Sequence, residues 1–118
     1  MLPLSIIVLT YNESIHITRC LESVASLSGR AVVVDSFSTD STCDLSEEAG
    51  AEVFQNPFVN QAQQFQWAMD NCNIETEWVL RLDADETIDP ELVANITRFI
   101  DSNDNGHNGA IFHRKHIF

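Results

Sequence analysis

Apolar runs alternate with amphipathic stretches along the chain, and their order predicts the fold class. Residues 4–9 form a near-continuous apolar run, which is typical of a parallel strand covered on both faces. Short apolar runs at residues 31–34, 51–54 and 78–82 predict further strands, and an apolar stretch from Ala110 predicts a last one. Because a segment with helical spacing separates each run from the next, the predicted order is βαβαβαβαβ.

The first two amphipathic segments have recognisable ends. Asn12 or Ser14 is expected to cap the first helix, and Gly29 is expected to end it. Its apolar stripe, at i, i+3, i+4, i+7 and i+10, consists of Ile17, Cys20, Leu21, Val24 and Leu27. The polar residues 36–42 offer caps for a short second helix, which Gly50 closes.

The third helix is predicted over residues 60–72, and the fourth begins at Asp89 and Pro90, an N-cap followed by proline at the first helical position. Connections of this length allow right-handed crossovers, so we expect an α/β fold with a mostly parallel sheet flanked by helices. We find no repeat or linker, and we interpret residues 1–118 as a single domain. The chain stops at Phe118, just after a predicted strand start, so we interpret it as the N-terminal portion of a truncated domain.

The composition is that of a globular protein with an unusual charge. Of the 118 residues, 44% are hydrophobic and 20% are charged, which argues against disorder. Six basic and 18 acidic residues give a net charge of −12, and a field of that sign repels nucleic-acid backbones and anionic lipid. We therefore expect no nucleic-acid partner, and we expect a metal cation to accompany any phosphorylated ligand.

Hydropathy and cysteine usage bear on the compartment. No run approaches the roughly 20 apolar residues that a bilayer span needs, and the apolar opening lacks a basic leader, so we interpret it as a strand and not a signal peptide. The cysteines Cys20, Cys43 and Cys72 are odd in number and lie within helical patterns. This usage favours buried thiols in a reducing compartment, so the expected location is the cytoplasm.

Polar segments follow three of the predicted strands, and the carboxyl ends of parallel strands share one edge of a sheet. These segments are residues 10–13, 35–40 and 83–86. The first segment contains no glycine, and the only lysine of the chain is Lys115. The sequence therefore predicts neither a glycine-rich dinucleotide turn nor a P-loop at this edge.

The first two segments offer groups that suit a nucleoside. Tyr11 supplies an aromatic plane beside the hydrogen-bonding groups of Thr10 and Asn12, which together can hold a base. A capped turn with a packed tyrosine is the alternative. The Asp35 carboxylate can accept hydrogen bonds from a pyrimidine N–H or a ribose, or it can be a turn residue held by residues 36–42.

The third segment offers carboxylates for a hard cation. Asp83 and Asp85 are two positions apart on an extension of the strand, so we expect both side chains to point the same way, with Cα atoms about 7 Å apart. Such a pair can share Mg²⁺ or Mn²⁺ with the oxygens of a diphosphate. Arg81 lies on the same side of the strand, where it either contacts phosphate or pairs with a neighbouring carboxylate, and we favour the pairing.

Residues 5–13, 32–42 and 80–86, in this order, resemble family 2 glycosyltransferases, and within them the bacterial lipopolysaccharide-core β-glucosyltransferase branch. The resemblance extends over residues 4–118. It implies a GT-A fold, a nucleotide-sugar donor such as UDP-glucose, a divalent metal (Mg²⁺ or Mn²⁺), inversion at the anomeric carbon and a saccharide or glycolipid acceptor. The implied role is cell-surface polysaccharide or lipopolysaccharide synthesis in the cytoplasm, with peripheral contact at the inner membrane.

The resemblance also implies a donor site, carried over residue by residue. The predicted donor-binding residues are Thr10, Tyr11, Asn12, Glu13, Asp35, Arg81, Asp83 and Asp85. Among them, Thr10, Tyr11 and Glu13 would line the nucleoside pocket, and Asp35 would contact uracil.

At the other end of the implied donor, Asp83 would lie near the ribose and the sugar, and both Asp83 and Asp85 are predicted metal ligands. Many relatives have glycine and a basic residue where this chain has Ala62 and Phe65, which removes an expected diphosphate contact. Inverting transfer needs a general base, and we expect that base beyond Phe118.

Other classes of protein also fit the same residues. The residues after the fourth strand also fit the opening motif of haloacid-dehalogenase-type phosphatases, although no convincing lysine and acidic pair follow Asp85. A phospho-receiver domain would need an acceptor aspartate where Gln55 and Asn56 stand. A non-catalytic nucleotide-sugar-binding module or pseudoenzyme is a further alternative. A half-domain with an exposed apolar edge also favours self-association.

Overall fold

The computed structural model describes residues 2–102 and 111–113, and its strands form one parallel sheet. The elements are β1 (Leu2–Thr10), α1 (Ile17–Ser23), β2 (Ser28–Asp35), α2 (Thr42–Glu48), β3 (Glu52–Gln55), α3 (Gln61–Asn71), β4 (Trp78–Asp83), α4 (Pro90–Ser102) and β5 (Ile111–His113). The strand order is β3-β2-β1-β4-β5, and every neighbouring pair is parallel. The predicted order and the α/β class are confirmed. Ala110, the predicted start of the last strand, lies outside the described residues.

The central strand β1 is buried on both faces, which explains why its sequence shows no polar alternation. Ile6 pairs with Ala31 of β2 on one side and with Leu80 of β4 on the other. Ile6 and Leu80 belong to one apolar core, whereas the next residue, Ile7, belongs to the core on the opposite face of the sheet. A strand between two covered faces is apolar at successive positions because successive side chains enter different cores.

The helices divide unequally between the two faces of the sheet. Apolar side chains of α1 and α4 pack with β1 and β4 on one face, and Leu45 of α2 packs against the same core. On the other face α3 contributes Phe65 and Ala68, and Cys72 follows at its C-cap. This layered arrangement leaves the carboxyl edge of the sheet to be covered by the loops alone.

The first helix is shorter than its apolar stripe predicts. It ends at Ser23 and not near Gly29, although Val24 and Leu27 are still buried, in the turns that follow. The prediction is wrong here because β2 begins at Ser28, three residues before the predicted strand, and its pairing with β1 requires the chain to leave the helix earlier.

The predicted caps of α1 are also wrong. The N-cap position is His16, and its side chain makes no capping hydrogen bond. Asn12 and Ser14 instead make hydrogen bonds with the loop that follows β2, which keeps them away from the start of the helix.

The ends of the other helices follow the sequence more closely. Asn60 caps α3 by accepting a hydrogen bond from the Gln63 amide at 2.8 Å. Asp89 does the same for α4 through the Leu92 amide at 2.8 Å. Gly50, with φ +95°, follows α2 in the left-handed conformation that glycine tolerates best. In residues 2–102 and 111–113, no helix has both the length and the apolar character that a membrane crossing requires.

All three cysteines are free thiols in the described part of the chain. Cys20 and Cys72 are buried, as predicted, whereas Cys43 is half-buried. The exception arises because Cys43 lies at the start of α2 near the loop edge, where the Gln55 side chain contacts its sulfur at 3.1 Å.

Candidate functional site

Three loops meet at the carboxyl edge of the sheet, as the strand order requires. The register pairs Thr10 with Asp35 and Leu9 with Asp83, so β1, β2 and β4 end side by side. The Thr10 hydroxyl donates to the Asp35 carboxylate at 2.6 Å, and the Ser36 amide donates to the Thr10 carbonyl at 3.0 Å. The prediction that the polar segments open on one edge is confirmed.

Asp35 is buried behind this edge, with no exposed surface. Besides Thr10, its carboxylate accepts hydrogen bonds from the Ser38 amide at 2.8 Å and the Ser38 hydroxyl at 2.5 Å. Burial acts to raise the pKa of Asp35, but the hydrogen bonds from Ser38 and Thr10 outweigh it and hold the pKa below its usual value. These bonds match the interpretation of Asp35 as a turn residue. For Asp35 to contact uracil, one of these hydrogen bonds must be replaced by a bond from the base. The uracil contact stays a prediction.

Asn12 links the loop after β1 to the loop after β2. Its side-chain oxygen accepts a hydrogen bond from the Thr39 amide at 2.8 Å, and its own amide donates to the Ser38 hydroxyl at 2.7 Å. The residue has φ +51°, a left-handed conformation in which asparagine is favoured over most other residues. Asn12 therefore shapes the site from behind, with its side chain directed to the second loop.

Asp40 makes a second link between the same loops. Its carboxylate accepts hydrogen bonds from the Thr42 amide and hydroxyl and from the Ser14 amide. The Thr42 hydroxyl in turn accepts the Glu13 amide at 2.8 Å. The bonds from Thr42, followed by those from Ser14, lower the pKa of Asp40 to about 2.

A cavity of about 580 Å³ opens between these loops and the segment before α3. It is lined by Leu9, Thr10, Tyr11, Glu13, Ser36, Phe37, Pro57, Phe58 and Gln61. The aromatic residues Tyr11, Phe37 and Phe58 are each more than half exposed. The structure thus brings the predicted Thr10, Tyr11 and Glu13 together at one cavity.

Sequence reasoning missed two of these rings. Phe37 is an aromatic residue within an otherwise polar run, which is an available signal because such loops seldom need an apolar side chain. Phe58 carries no comparable signal, since its place in the cavity depends on how the segment before α3 folds back over the loops.

The acidic segment after β4 forms a turn and not a strand extension. The strand ends at Asp83, and the Glu86 amide closes the turn on the Asp83 carbonyl at 2.9 Å. Strand alternation therefore stops before Asp85, which is exposed, and the expected common direction of the two aspartates does not follow from it.

Glu86 is a further residue of this turn to which the sequence assigned no role. Its carboxylate accepts the Asp83 amide at 3.1 Å, and only 8% of the residue is exposed. Glu86 thus bonds to both the backbone amide and the backbone carbonyl of Asp83, and the three-residue spacing was the available signal.

The side chains around the acidic turn share a strongly negative environment. Burial, followed by the charge of Asp85, raises the pKa of Glu13, and Asp40 and Asp83 add to the effect against the opposing influence of His16. The Cys20 thiol donates to the Asp83 carbonyl at 3.7 Å, and burial together with the nearby carboxylates raises its pKa to about 12. The charges of both predicted metal ligands thus act on Glu13.

The acidic turn carries the two predicted ligands of a divalent cation, Asp83 and Asp85. Carboxylate oxygens are the ligands that Mg²⁺ and Mn²⁺ prefer. In the part of the chain that the structure describes, no group of three or more His, Cys, Asp or Glu side chains forms a complete metal site. Metal binding by Asp83 and Asp85 stays a prediction.

Arg81 lies on the α3 face of the sheet. Its guanidinium carbon is 5.6 Å from the centre of the Phe65 ring, and its Nη2 donates to the Gln61 side chain at 2.8 Å. Within the described residues, its buried Nε has no hydrogen-bond partner. The favoured pairing with a carboxylate is wrong, because the guanidinium is held instead by the Gln61 side chain and the Phe65 ring of α3.

Comparison with known proteins identifies the family. Residues 5–117 match the model of Glycosyl transferase family 2. The chain is 37% identical over 89 residues to an uncharacterized glycosyltransferase of Rickettsia conorii, covering 75% of this chain and 31% of the relative. It is 34% identical over 105 residues to the lipopolysaccharide core biosynthesis glycosyltransferase LpsC of Rhizobium meliloti, covering 79% and 38%. The chain thus spans about a third of the length of the curated relatives it matches.

Solved structures share the fold. S. aureus TarS, residues 1–349, superposes with a TM-score of 0.72 at 28% identity, covering 91% of this chain and 38% of TarS. A complex of M. tuberculosis glucosyl-3-phosphoglycerate synthase with Mn²⁺, UDP and glucosyl-3-phosphoglycerate gives 0.64 at 18% identity, covering 88% and 40%. The expected GT-A fold is confirmed, and the family match replaces the phosphatase and receiver alternatives. This chain belongs to glycosyl transferase family 2.

Proposed function

We propose that this chain binds a nucleotide-diphosphate sugar, UDP-glucose or a close analogue, at the carboxyl edge of β1, β2 and β4. The observation that carries the proposal is the cavity of about 580 Å³ with apolar walls, whose lining residue Leu9 pairs in the sheet with Asp83, where the acidic turn begins. Its volume lies in the range of small-molecule sites, and apolar walls with a few polar groups suit a nucleoside. The acidic turn supplies the carboxylates that a metal-bound diphosphate requires.

At the nucleoside end, Thr10, Tyr11 and Glu13 line the cavity and form its polar and aromatic rim. Asp35 and Asn12 act from behind this rim, since their hydrogen bonds to Ser38 and Thr39 hold the second loop in place. A direct bond from Asp35 to the base is part of the proposal and requires the Ser38 hydroxyl to rotate away.

At the diphosphate end, Asp83 and Asp85 are the proposed ligands of Mg²⁺ or Mn²⁺. A bound divalent cation would offset the negative charge of the diphosphate leaving group. The complex of the M. tuberculosis synthase, which has a related fold, with Mn²⁺ and UDP supports the presence of a divalent metal in this proposal. The raised pKa of Glu13 also supports it, because closely placed carboxylates gain most from a neighbouring cation.

We assign Arg81 to the phosphate side of the donor. Gln61 lines the cavity, and its side-chain oxygen accepts a hydrogen bond from the Arg81 guanidinium. The positive charge of Arg81 therefore lies next to the cavity wall. The exposed edge of the guanidinium can donate to an anionic oxygen without losing its contact with Phe65.

The proposed reaction is inverting transfer of the sugar to a saccharide or glycolipid acceptor in lipopolysaccharide or other cell-surface polysaccharide synthesis. The similarity to LpsC supports this biological role. Cytoplasmic location is supported by the free, buried thiols of Cys20 and Cys72. Self-association stays a prediction that sedimentation at several concentrations tests.

Calorimetric titration tests the donor site. UDP, UDP-glucose and GDP-mannose are titrated into the wild-type chain and Asp85→Ala, each with Mn²⁺ and with chelator. We expect UDP to bind with Mn²⁺, and Asp85→Ala to weaken that binding by at least about tenfold, since even groups adjacent to a metal ligand change affinity by that amount. Asp101→Ala, at an exposed position on α4, is the matched control and should bind UDP as the wild type does.

The contrary outcomes separate the parts of the proposal. Equal UDP affinity with Mn²⁺ and with chelator would overturn the metal assignment. Absence of nucleotide binding by a chain whose circular dichroism shows it to be folded would overturn the donor site and leave a member of the family without a working site.

A further inference from the structure

Phe37 has a backbone conformation that aromatic residues rarely adopt. Its φ of +59° lies in the left-handed region, where a β-carbon is disfavoured and glycine is the usual residue. The residue is 57% exposed, so it gains little from burial in a core. An exposed aromatic side chain on a strained backbone calls for an explanation other than packing.

Three consecutive backbone amides hold this conformation. The Ser36 amide donates to the Thr10 carbonyl at 3.0 Å, and the Phe37 amide donates to the Gln55 side-chain oxygen at 2.9 Å. The Ser38 amide donates to the Asp35 carboxylate at 2.8 Å. The three acceptors belong to the ends of β1, β3 and β2, so the edge of the sheet itself fixes the loop in which Phe37 stands.

The ring held in this way forms one wall of the cavity. Tyr11 and Phe58, from two other segments, also line it, and Leu9 and Pro57 add apolar surface. Hydroxyl and amide groups of Ser36, Thr10 and Gln61 provide polar contacts. Flat aromatic walls with polar groups around them match the chemistry of a nucleobase, which has apolar faces and hydrogen-bonding edges.

We propose that Phe37 is a specificity-determining residue of the donor site, whose ring stacks on the face of the donor's nucleobase. The inference rests on the proposed donor site and adds to it a base contact that the family resemblance did not supply. The strained backbone at residue 37 has a function in this view, because it directs the ring into the cavity and not back to the core. Phe37 then governs affinity for the base and leaves affinity for the diphosphate unchanged.

The test compares ligands that carry the base with one that lacks it. Uridine, UDP and inorganic pyrophosphate, the last two with Mn²⁺, are titrated into the wild type, Phe37→Leu and the matched control Phe99→Leu. Phe99 is a partly exposed phenylalanine of α4, outside the cavity. We expect Phe37→Leu to weaken the affinity for uridine and UDP by about fivefold or more, because a stacking ring is lost. The affinity for pyrophosphate should stay within about twofold of the wild-type value.

A spectroscopic measurement reports the stacking itself. The uracil H5 and H6 resonances of uridine should move upfield on binding to the wild type, because they lie over an aromatic ring. The upfield shift of bound uridine should be smaller with Phe37→Leu than with the wild type, and Phe99→Leu should leave it unchanged.

Phe37→Gly separates the role of the ring from a role in folding. Glycine adopts the left-handed conformation freely and keeps the amide that bonds to Gln55. We therefore expect this variant to keep or raise the thermal midpoint while it loses uridine affinity to the same extent as Phe37→Leu.

The outcomes distinguish this inference from the donor site on which it rests. Wild-type binding of UDP together with unchanged uridine affinity in both Phe37 variants would overturn the stacking role alone. A parallel loss of uridine and pyrophosphate would also overturn it, since the residue would then act on the whole site. Absence of UDP binding by the wild type would overturn the donor site and this inference together.

Discussion

The Asp35 carboxylate lies at the end of β2 with no exposed surface, yet it keeps its charge. It can do so because Thr10 and Ser38 donate three hydrogen bonds to it, and hydrogen bonds to the ionised form offset the loss of water. The sequence predicted where Asp35 stands. It could not predict its burial, because the donor Thr10 is 25 positions away along the chain.

The same hydrogen bonds make the stability of the chain depend on pH. Because the folded pKa of Asp35 is lowered, its contribution is present above the unfolded carboxyl value, about 4, and is lost as the pH falls through the folded value. We expect Asp35→Asn to reduce the free energy of unfolding by about 2 kcal/mol at pH 7, in line with hydrogen bonds to a charged group.

Denaturant unfolding at several pH values between 7 and acid checks this expectation. The difference between wild type and Asp35→Asn should shrink below pH about 4 as the native carboxylate is protonated. Asp101→Asn, at an exposed position, should follow the wild type throughout. If the difference in the free energy of unfolding stayed constant down to the lowest pH, the shape of the Asp35 side chain, and not its charge, would account for the effect.

At the scale of single elements, the caps of α2 and α3 allow a matched comparison. The Asn60 side chain accepts the Gln63 amide at the start of α3, whereas Ser41 at the start of α2 makes no side-chain capping bond. Asn60→Ala should therefore lower the free energy of unfolding by about 1 kcal/mol, and Ser41→Ala by no more than about 0.3 kcal/mol. Urea unfolding of the two variants measures both values, and equal losses would show that the cap geometry has no energetic consequence.

The element that the sequence predicted least well is α1. Its apolar spacing continues through Val24 to Leu27, but the helix ends at Ser23. Helical periodicity is a local signal, and here the pairing of Ser28 and its successors with β1 prevails over it. The stripe was still informative about burial, because Val24 and Leu27 enter the same core from the following turns.

At the scale of the whole molecule, the thiols report how tightly the chain is packed. Burial is the main cause that raises the pKa of Cys20 to about 12 and that of Cys43 to about 11. Both thiols are then almost wholly protonated at pH 8, and a protonated thiol is a poor nucleophile. We expect native alkylation by iodoacetamide to be more than about 100-fold slower than that of a free cysteine, whose pKa is about 8.5.

Mass spectrometry of alkylated peptides resolves the individual sites. Cys43, which is half-buried, should react first, and Cys20 and Cys72 should react only when guanidinium unfolds the chain. Rapid modification of Cys20 in the native protein would contradict its burial between α1 and the acidic turn.

The sequence by itself determined the order of the elements, the parallel α/β class and the edge at which the site lies. These features follow from the spacing of apolar residues and from the rule that parallel strands end together, and both can be read locally. The tertiary structure decided which groups meet at that edge. It buried Asp35, placed Asp85 in a turn, directed Arg81 to Gln61 and brought Phe37 to the cavity. Each of these depends on how the loops and strand ends pack in three dimensions, which the spacing of residues along the chain does not specify.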